Sequence, residues 1–161
     1  MSITFTPGEL IDIAIGIERR GITFYDIMAK STENGMAREV FEKLVEMERL
    51  HIEVFQDMLD EAGKSPPPEA STEEYAGYLR ALIDDAVFND DMITSEMATQ
   101  VDSDIKAVEL GINAEKDSIL FYYQMRDIMP QRAFPTMNKI IAEEKSHLWQ
   151  LSEIKKRLIS Q

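Results

Sequence analysis

Two short runs carry the residues best able to do chemistry: Glu48-Arg49-Leu50-His51 and Glu144-Lys145-Ser146-His147. On a helix, side chains three positions apart project the same way, so each Glu and His pair can reach one metal ion. These are the only two histidines in the chain, and each has a glutamate three residues before it. Imidazole and carboxylate together suit iron, manganese and zinc.

The elements that must position these runs read as helices. Thr6-Pro7-Gly8-Glu9 is a helix start: Thr6 can cap, Pro7 suits the first helical position, and Glu9 completes a capping box. Leu10, Ala14, Ile17, Gly21, Phe24 and Met28 then recur at threes and fours, with Glu18 and Tyr25 on the same inward stripe. This first helix is expected to end near Ser31. A second runs over 36–62, with Val40, Leu44, Ile52, Phe55 and Leu59 inward and Glu48 and His51 among them. Ser65-Pro66-Pro67-Pro68 breaks the chain within 63–72, because proline lacks a donor and clashes with the preceding turn. One shorter helix is expected over 73–88, with Tyr75, Tyr78, Leu79, Leu82 and Ile83 as its apolar side. A turn follows at Asn89-Asp90-Asp91. The third long helix begins between Thr94 and Asp104. It carries Val108, Ile112, Glu115, Ile119, Tyr122 and Met125 on one face and stops at Met129-Pro130. Phe134-Pro135-Thr136 opens the fourth, with Ile140, Leu151, Ile154 and Leu158 around Glu144 and His147. The prediction is an all-α, single-domain four-helix bundle. Its first hairpin spans 6–62, a long crossover with a short extra helix spans 63–100, and its second hairpin spans 101–159.

The two hairpins repeat each other. The segment 15–25 can be laid on 112–122, so that Glu18 meets Glu115 and Tyr25 meets Tyr122. Glu18 to Glu48 is 30 residues, and Glu115 to Glu144 is 29. Around a pseudo-twofold axis, four glutamates and two histidines would meet at one centre. A pair of such cations carries a charge of about +4 to +6, most of which four carboxylates offset while bridging the ions. Singly, each residue has a plainer reading. Glu18 would pair with Arg19 or Arg20, His51 would be a hydrogen-bonded core histidine, and Tyr25 and Tyr122 would be core aromatics. The repeated joint pattern outweighs those readings. Glu46, Glu53 and Glu143 flank the motifs but point elsewhere, as solvated residues or at best partners of the ligands.

Composition narrows the classes. The net charge of −13 argues against nucleic acid and anionic membrane surfaces. With no cysteine, disulfides, cysteine nucleophiles and a rubredoxin-type iron centre held by four cysteines are excluded within these residues. Met1-Ser2-Ile3-Thr4-Phe5 has no basic leader, and no long apolar run follows, so a cytoplasmic location with no membrane span is expected.

The combined motif resembles the rubrerythrin group of ferritin-like di-iron proteins over nearly the whole chain. The resemblance implies that Glu18, Glu48, His51, Glu115, Glu144 and His147 bind two iron ions, with manganese or a mixed pair also suited. Glu48 and Glu144 would bridge the ions, and Tyr25 and Tyr122 would flank them. There are two departures. Rubrerythrins carry an extra glutamate three residues after the helix-three ligand, and here that position is Ser118. The usual rubredoxin domain is missing, so a separate donor protein, such as a rubredoxin, would supply electrons. Bacterioferritin's ferroxidase centre is also similar, but Arg49 stands where a haem-binding methionine would, so no haem is expected. The leading expectation is reduction of hydrogen peroxide or dioxygen. The others are ferroxidase activity with iron storage or delivery, oxygen-activating hydroxylation, and a metal-stabilised bundle without catalysis. The resemblance also implies a homodimer.

Overall fold

The computed structural model describes residues 5–62 and 73–161. Six α-helices make up almost all of it, and no strand occurs among the described residues. Helices α1 (Pro7–Ser31) and α2 (Gly35–Ala62) form one hairpin. Helices α5 (Asp104–Ile128) and α6 (Phe134–Ile159) form the other. The hairpins face each other, α1 against α5 and α2 against α6. The bundle therefore has a front made by α1 and α5 and a back made by α2 and α6.

Local chemistry sets the ends of these helices. Thr6 accepts from the Glu9 amide at 3.2 Å while Glu9 reaches back to the Thr6 amide, completing the expected capping box. Asn34 Oδ1 accepts from the Ala37 amide, and Arg38 donates to the Thr32 and Ala29 carbonyls, so the 32–34 turn is tied from both sides. Ser103 caps α5 by accepting from Lys106 N. Pro130 lies just past α5, and a single 3-10 turn, Gln131–Ala133, leads into α6.

The crossover departs from expectation by holding two short helices rather than one: α3 (Glu73–Asp84) and α4 (Asp91–Gln100). The run 91–100 lacks a broad apolar stripe, so its periodicity is weak. Among its residues with described side chains, Thr94 and Ala98 are buried, where α4 lies on α1. Helix α3 docks on α5 through buried Leu79 and a 2.6 Å bond from Tyr75 Oη to the Gln124 carbonyl. Tyr78, expected on its apolar side, is 43% exposed instead. The expected proline break falls within 63–72 and the N-terminal reading falls largely on 1–4, both outside the described residues. No described helix is long and apolar enough to cross a membrane.

Two apolar clusters fill the bundle, one toward each end. Leu10, Phe55, Phe121 and Met137 belong to the first, and Phe24, Phe41, Val108 and Leu151 to the second. Between them lies a polar layer of glutamate, histidine and tyrosine.

Candidate metal centre

All six residues expected to bind metal converge on that layer. Glu18, Glu48, His51, Glu115, Glu144 and His147 are each 3% exposed or less. The His51 and His147 rings lie 5.7 Å apart, centroid to centroid, at 26° to each other. Their Nδ1 atoms face inward. His51 Nδ1 is 2.8 Å from Glu144 Oε1, 3.2 Å from Glu48 Oε2 and 3.6 Å from Glu18 Oε2. His147 Nδ1 is 3.3 Å from Glu144 Oε2, 3.5 Å from Glu48 Oε1 and 3.9 Å from Glu115 Oε2.

These atoms fall into two overlapping sets. Glu18, Glu48, His51 and Glu144 offer one group of ligand atoms within 4.8 Å of one another, and Glu48, Glu115, Glu144 and His147 offer a second. Glu48 and Glu144 belong to both. Each set mixes hard carboxylate oxygen with imidazole nitrogen, the donor types that suit iron or manganese. Glu144 Oε1 is buried and, although His51 Nδ1 pairs with it at 2.8 Å, it sits in no well-formed hydrogen bond. Four buried carboxylates in two overlapping sets cost stability unless they are protonated or meet cations, so the residues present fit a pair of ions.

The two tyrosines cross between the hairpins. Tyr25 Oη, from α1, donates to Glu115 Oε1 of α5 at 2.7 Å. Tyr122 Oη, from α5, donates to Glu18 Oε1 of α1. Each hydroxyl therefore fixes the glutamate of the opposite half, and both phenols are pushed well above the usual tyrosine range by burial and by the nearby carboxylates.

The carboxylates split into two kinds. Burial, reinforced by Glu48, raises Glu18 to about 8. Burial, with Glu144 and Glu48, raises Glu115 well above the usual range. Burial also works against Glu48 and Glu144, but hydrogen bonds from their neighbours, both histidines included, hold these two below the usual value. Burial would lower both imidazoles, yet the carboxylates around them prevail. His147 rises to about 9, and His51 rises well above the imidazole range.

Two neighbours are placed more closely than the sequence alone could say. Glu143, expected to point away or at best to support a ligand, places Oε2 2.9 Å from Nε2 of His51. Its position next to Glu144 hinted at proximity, but only the packing of α6 on α2 aims it at the other hairpin's histidine. Arg20, a plain sequence-level partner for Glu18, turns its Nε instead to the Phe88 carbonyl at 2.8 Å. The adjacent Val87 amide donates to Asp117 Oδ2 at 2.9 Å, so the segment after α3 is pinned to both α1 and α5. Beneath that segment a cavity of ≈ 30 Å³ abuts Glu18, Glu48 and Glu115, walled by Ile17, Phe88 and Phe121. Ser118 lines it too, and its hydroxyl is turned to the Ala114 carbonyl of its own helix.

The comparisons with known proteins agree with this geometry. A solved structure from Thermotoga maritima, described as a candidate ferritin-like diiron-carboxylate protein, is similar to this chain at a TM-score of 0.73 and 29% identity. The match covers 95% of this chain and 96% of that one. No curated protein matches the sequence. The family model for rubrerythrin matches residues 9–155, which span nearly all of both hairpins and all six buried ligand candidates, and the chain therefore belongs to the rubrerythrin family.

Proposed function

We propose that this chain is a non-haem di-iron redox protein that reduces hydrogen peroxide or dioxygen with electrons from a separate donor protein. Glu18 and His51 would serve one ion, Glu115 and His147 the other, and Glu48 and Glu144 would bridge them. The observation that carries the reading is that two four-residue ligand sets share Glu48 and Glu144 inside a buried layer. Bound ferrous ions would supply one electron each, enough to convert one peroxide and two protons to two waters.

The protein's own residues do the rest. The burial of all six ligand candidates limits water at the site. Tyr25 and Tyr122 hold Glu115 and Glu18 in place by hydrogen bonds to one oxygen of each. The cavity beside Glu18 and Glu115 has room for about one or two water-sized molecules. That size supports a small oxidant over an organic substrate. No cysteine occurs in the 161 residues, so a Cys-ligated relay would lie outside them. A homodimer in the cytoplasm remains the expected setting.

The test is direct. Protein loaded anaerobically with two ferrous ions is mixed with hydrogen peroxide or with air-saturated buffer, and absorbance is followed. Oxidation much faster than that of free ferrous ion under the same conditions supports the proposal. Oxidation at the free-ion rate with both oxidants rejects it.

A further inference from the structure

The two halves repeat their ligands but not the residue that stands behind the histidines. Glu143 precedes Glu144, and its carboxylate meets Nε2 of His51 across the bundle at 2.9 Å. The position before Glu48 in the other half holds Met47, which has no carboxylate. Accordingly, among the described residues, the carboxylates within 4 Å of a His147 ring nitrogen all approach its inward Nδ1, and none reaches Nε2. Both positions are half-buried, so the difference lies in side-chain chemistry rather than in exposure.

A carboxylate on the outer nitrogen of a ligating histidine fixes the tautomer with the proton outward. It also fixes the ring's orientation and makes the inner nitrogen a stronger donor. Such a partner is typically worth about 10- to 100-fold in metal affinity. His51 has it and His147 does not. Glu143 is itself steadied from the solvent side, where Oε1 lies 4.0 Å from Lys139 Nζ.

We infer that Glu143 is a positioning residue that makes the two ion positions unequal, so that the Glu18–His51 position fills first and the Glu115–His147 position second. The inference rests on the dinuclear reading above and concerns its order of assembly. A half-loaded form with one ion at the His51 end then accumulates at substoichiometric metal.

Co2+ provides a redox-silent probe with visible absorption bands. The metal-free full chain is titrated with Co2+ alone, by absorbance and by calorimetry. Wild type is expected to bind two ions in two steps separated by about 10- to 100-fold in affinity. Glu143→Gln is expected to weaken the first step about tenfold or more while leaving the second in place, so that the steps merge. Gln matches Glu in size, so the variant keeps the packing of this half-buried side chain. Glu46→Gln removes the same surface charge from a glutamate 69% exposed and bonded to Arg49, and is expected to leave both steps unchanged. Two Co2+ bound with equal affinity in wild type would overturn the inference, as would a Glu143→Gln titration identical to wild type. An equal effect of Glu46→Gln would also overturn it, by reducing the effect to net charge. Uptake of fewer than two Co2+ by wild type is a separate failure, because it removes the dinuclear reading itself.

Discussion

Metal loading of this site is expected to release about four protons for each pair of divalent ions at pH 7, because metal ligands must be deprotonated and a buried cluster tolerates little net charge. In the metal-free cluster Glu18 and Glu115 are raised and stay neutral acids, whereas Glu48 and Glu144 are lowered and stay charged. His51 and His147 are raised and hold their protons as cations. Two carboxylates thus balance two imidazolium rings. With two divalent ions bound, four carboxylates balance them and both rings are neutral. The passage from one balanced state to the other gives up one proton each from Glu18, Glu115, His51 and His147. Glu18, at about 8, is about nine-tenths protonated at pH 7, so the count falls only slightly short of four.

The same protons set the metal-free protein's response to pH. For Glu18 the folded value, about 8, exceeds the ordinary 4.5. Its contribution is therefore complete below 4.5 and is lost as pH rises through 8. For His147 the contribution is complete below 6.5 and is lost as pH rises through about 9. Glu48 and Glu144 act oppositely, and their contribution is lost as pH falls below the ordinary carboxylate value. Each tenfold in proton affinity is worth about 1.4 kcal/mol, so Glu18 alone sets a ceiling of about 5 kcal/mol. The assay is Mn2+ calorimetry at pH 7 in two buffers of different ionisation enthalpy, paired with melting temperatures of metal-free protein from pH 5 to 9. Release of one proton or none, or a metal-free melting temperature flat from pH 6 to 9, would refute the charge-balance argument.

Further expectations follow from single contacts. Tyr25→Phe and Tyr122→Phe each remove a hydroxyl donated to a buried glutamate, and should each cost the metal-free fold about 1–3 kcal/mol by urea unfolding while leaving helix content intact. Gly111→Ala would place a methyl 3.1 Å from Tyr25 Cε1 and 3.2 Å from Leu151 Cδ1, so overpacking of about 1–3 kcal/mol should outweigh its gain in helix propensity. Gly77→Ala, in α3 with nothing within 4 Å of the new methyl, should instead raise the melting point, by up to about 1 kcal/mol of stability. Thr6→Ala breaks the capping box and should cost about 1 kcal/mol by chemical denaturation.

Residue type, spacing and the internal repeat were enough to name the six side chains that meet in the buried layer, and the frame around them. Period and punctuation bound the long helices to within a residue or so, save the start of α5, left between Thr94 and Asp104 and found at Asp104, since Thr6-Pro7, Asn34-Gly35 and Met129-Pro130 act through local backbone chemistry. The repeat pointed to one centre because two like hairpins facing each other must bring like residues together. Helix α4 escaped because the run Asp91–Gln100 carries no broad apolar stripe, which leaves little periodic signal. The tertiary structure alone decided what lies across the bundle. Tyr25 reaches Glu115, Tyr122 reaches Glu18, and Glu143 reaches His51, over separations of 90, 104 and 92 residues. Such pairings depend on the rotation and offset of one hairpin against the other. Those are set by how the two apolar clusters pack, and no spacing along a single helix encodes them.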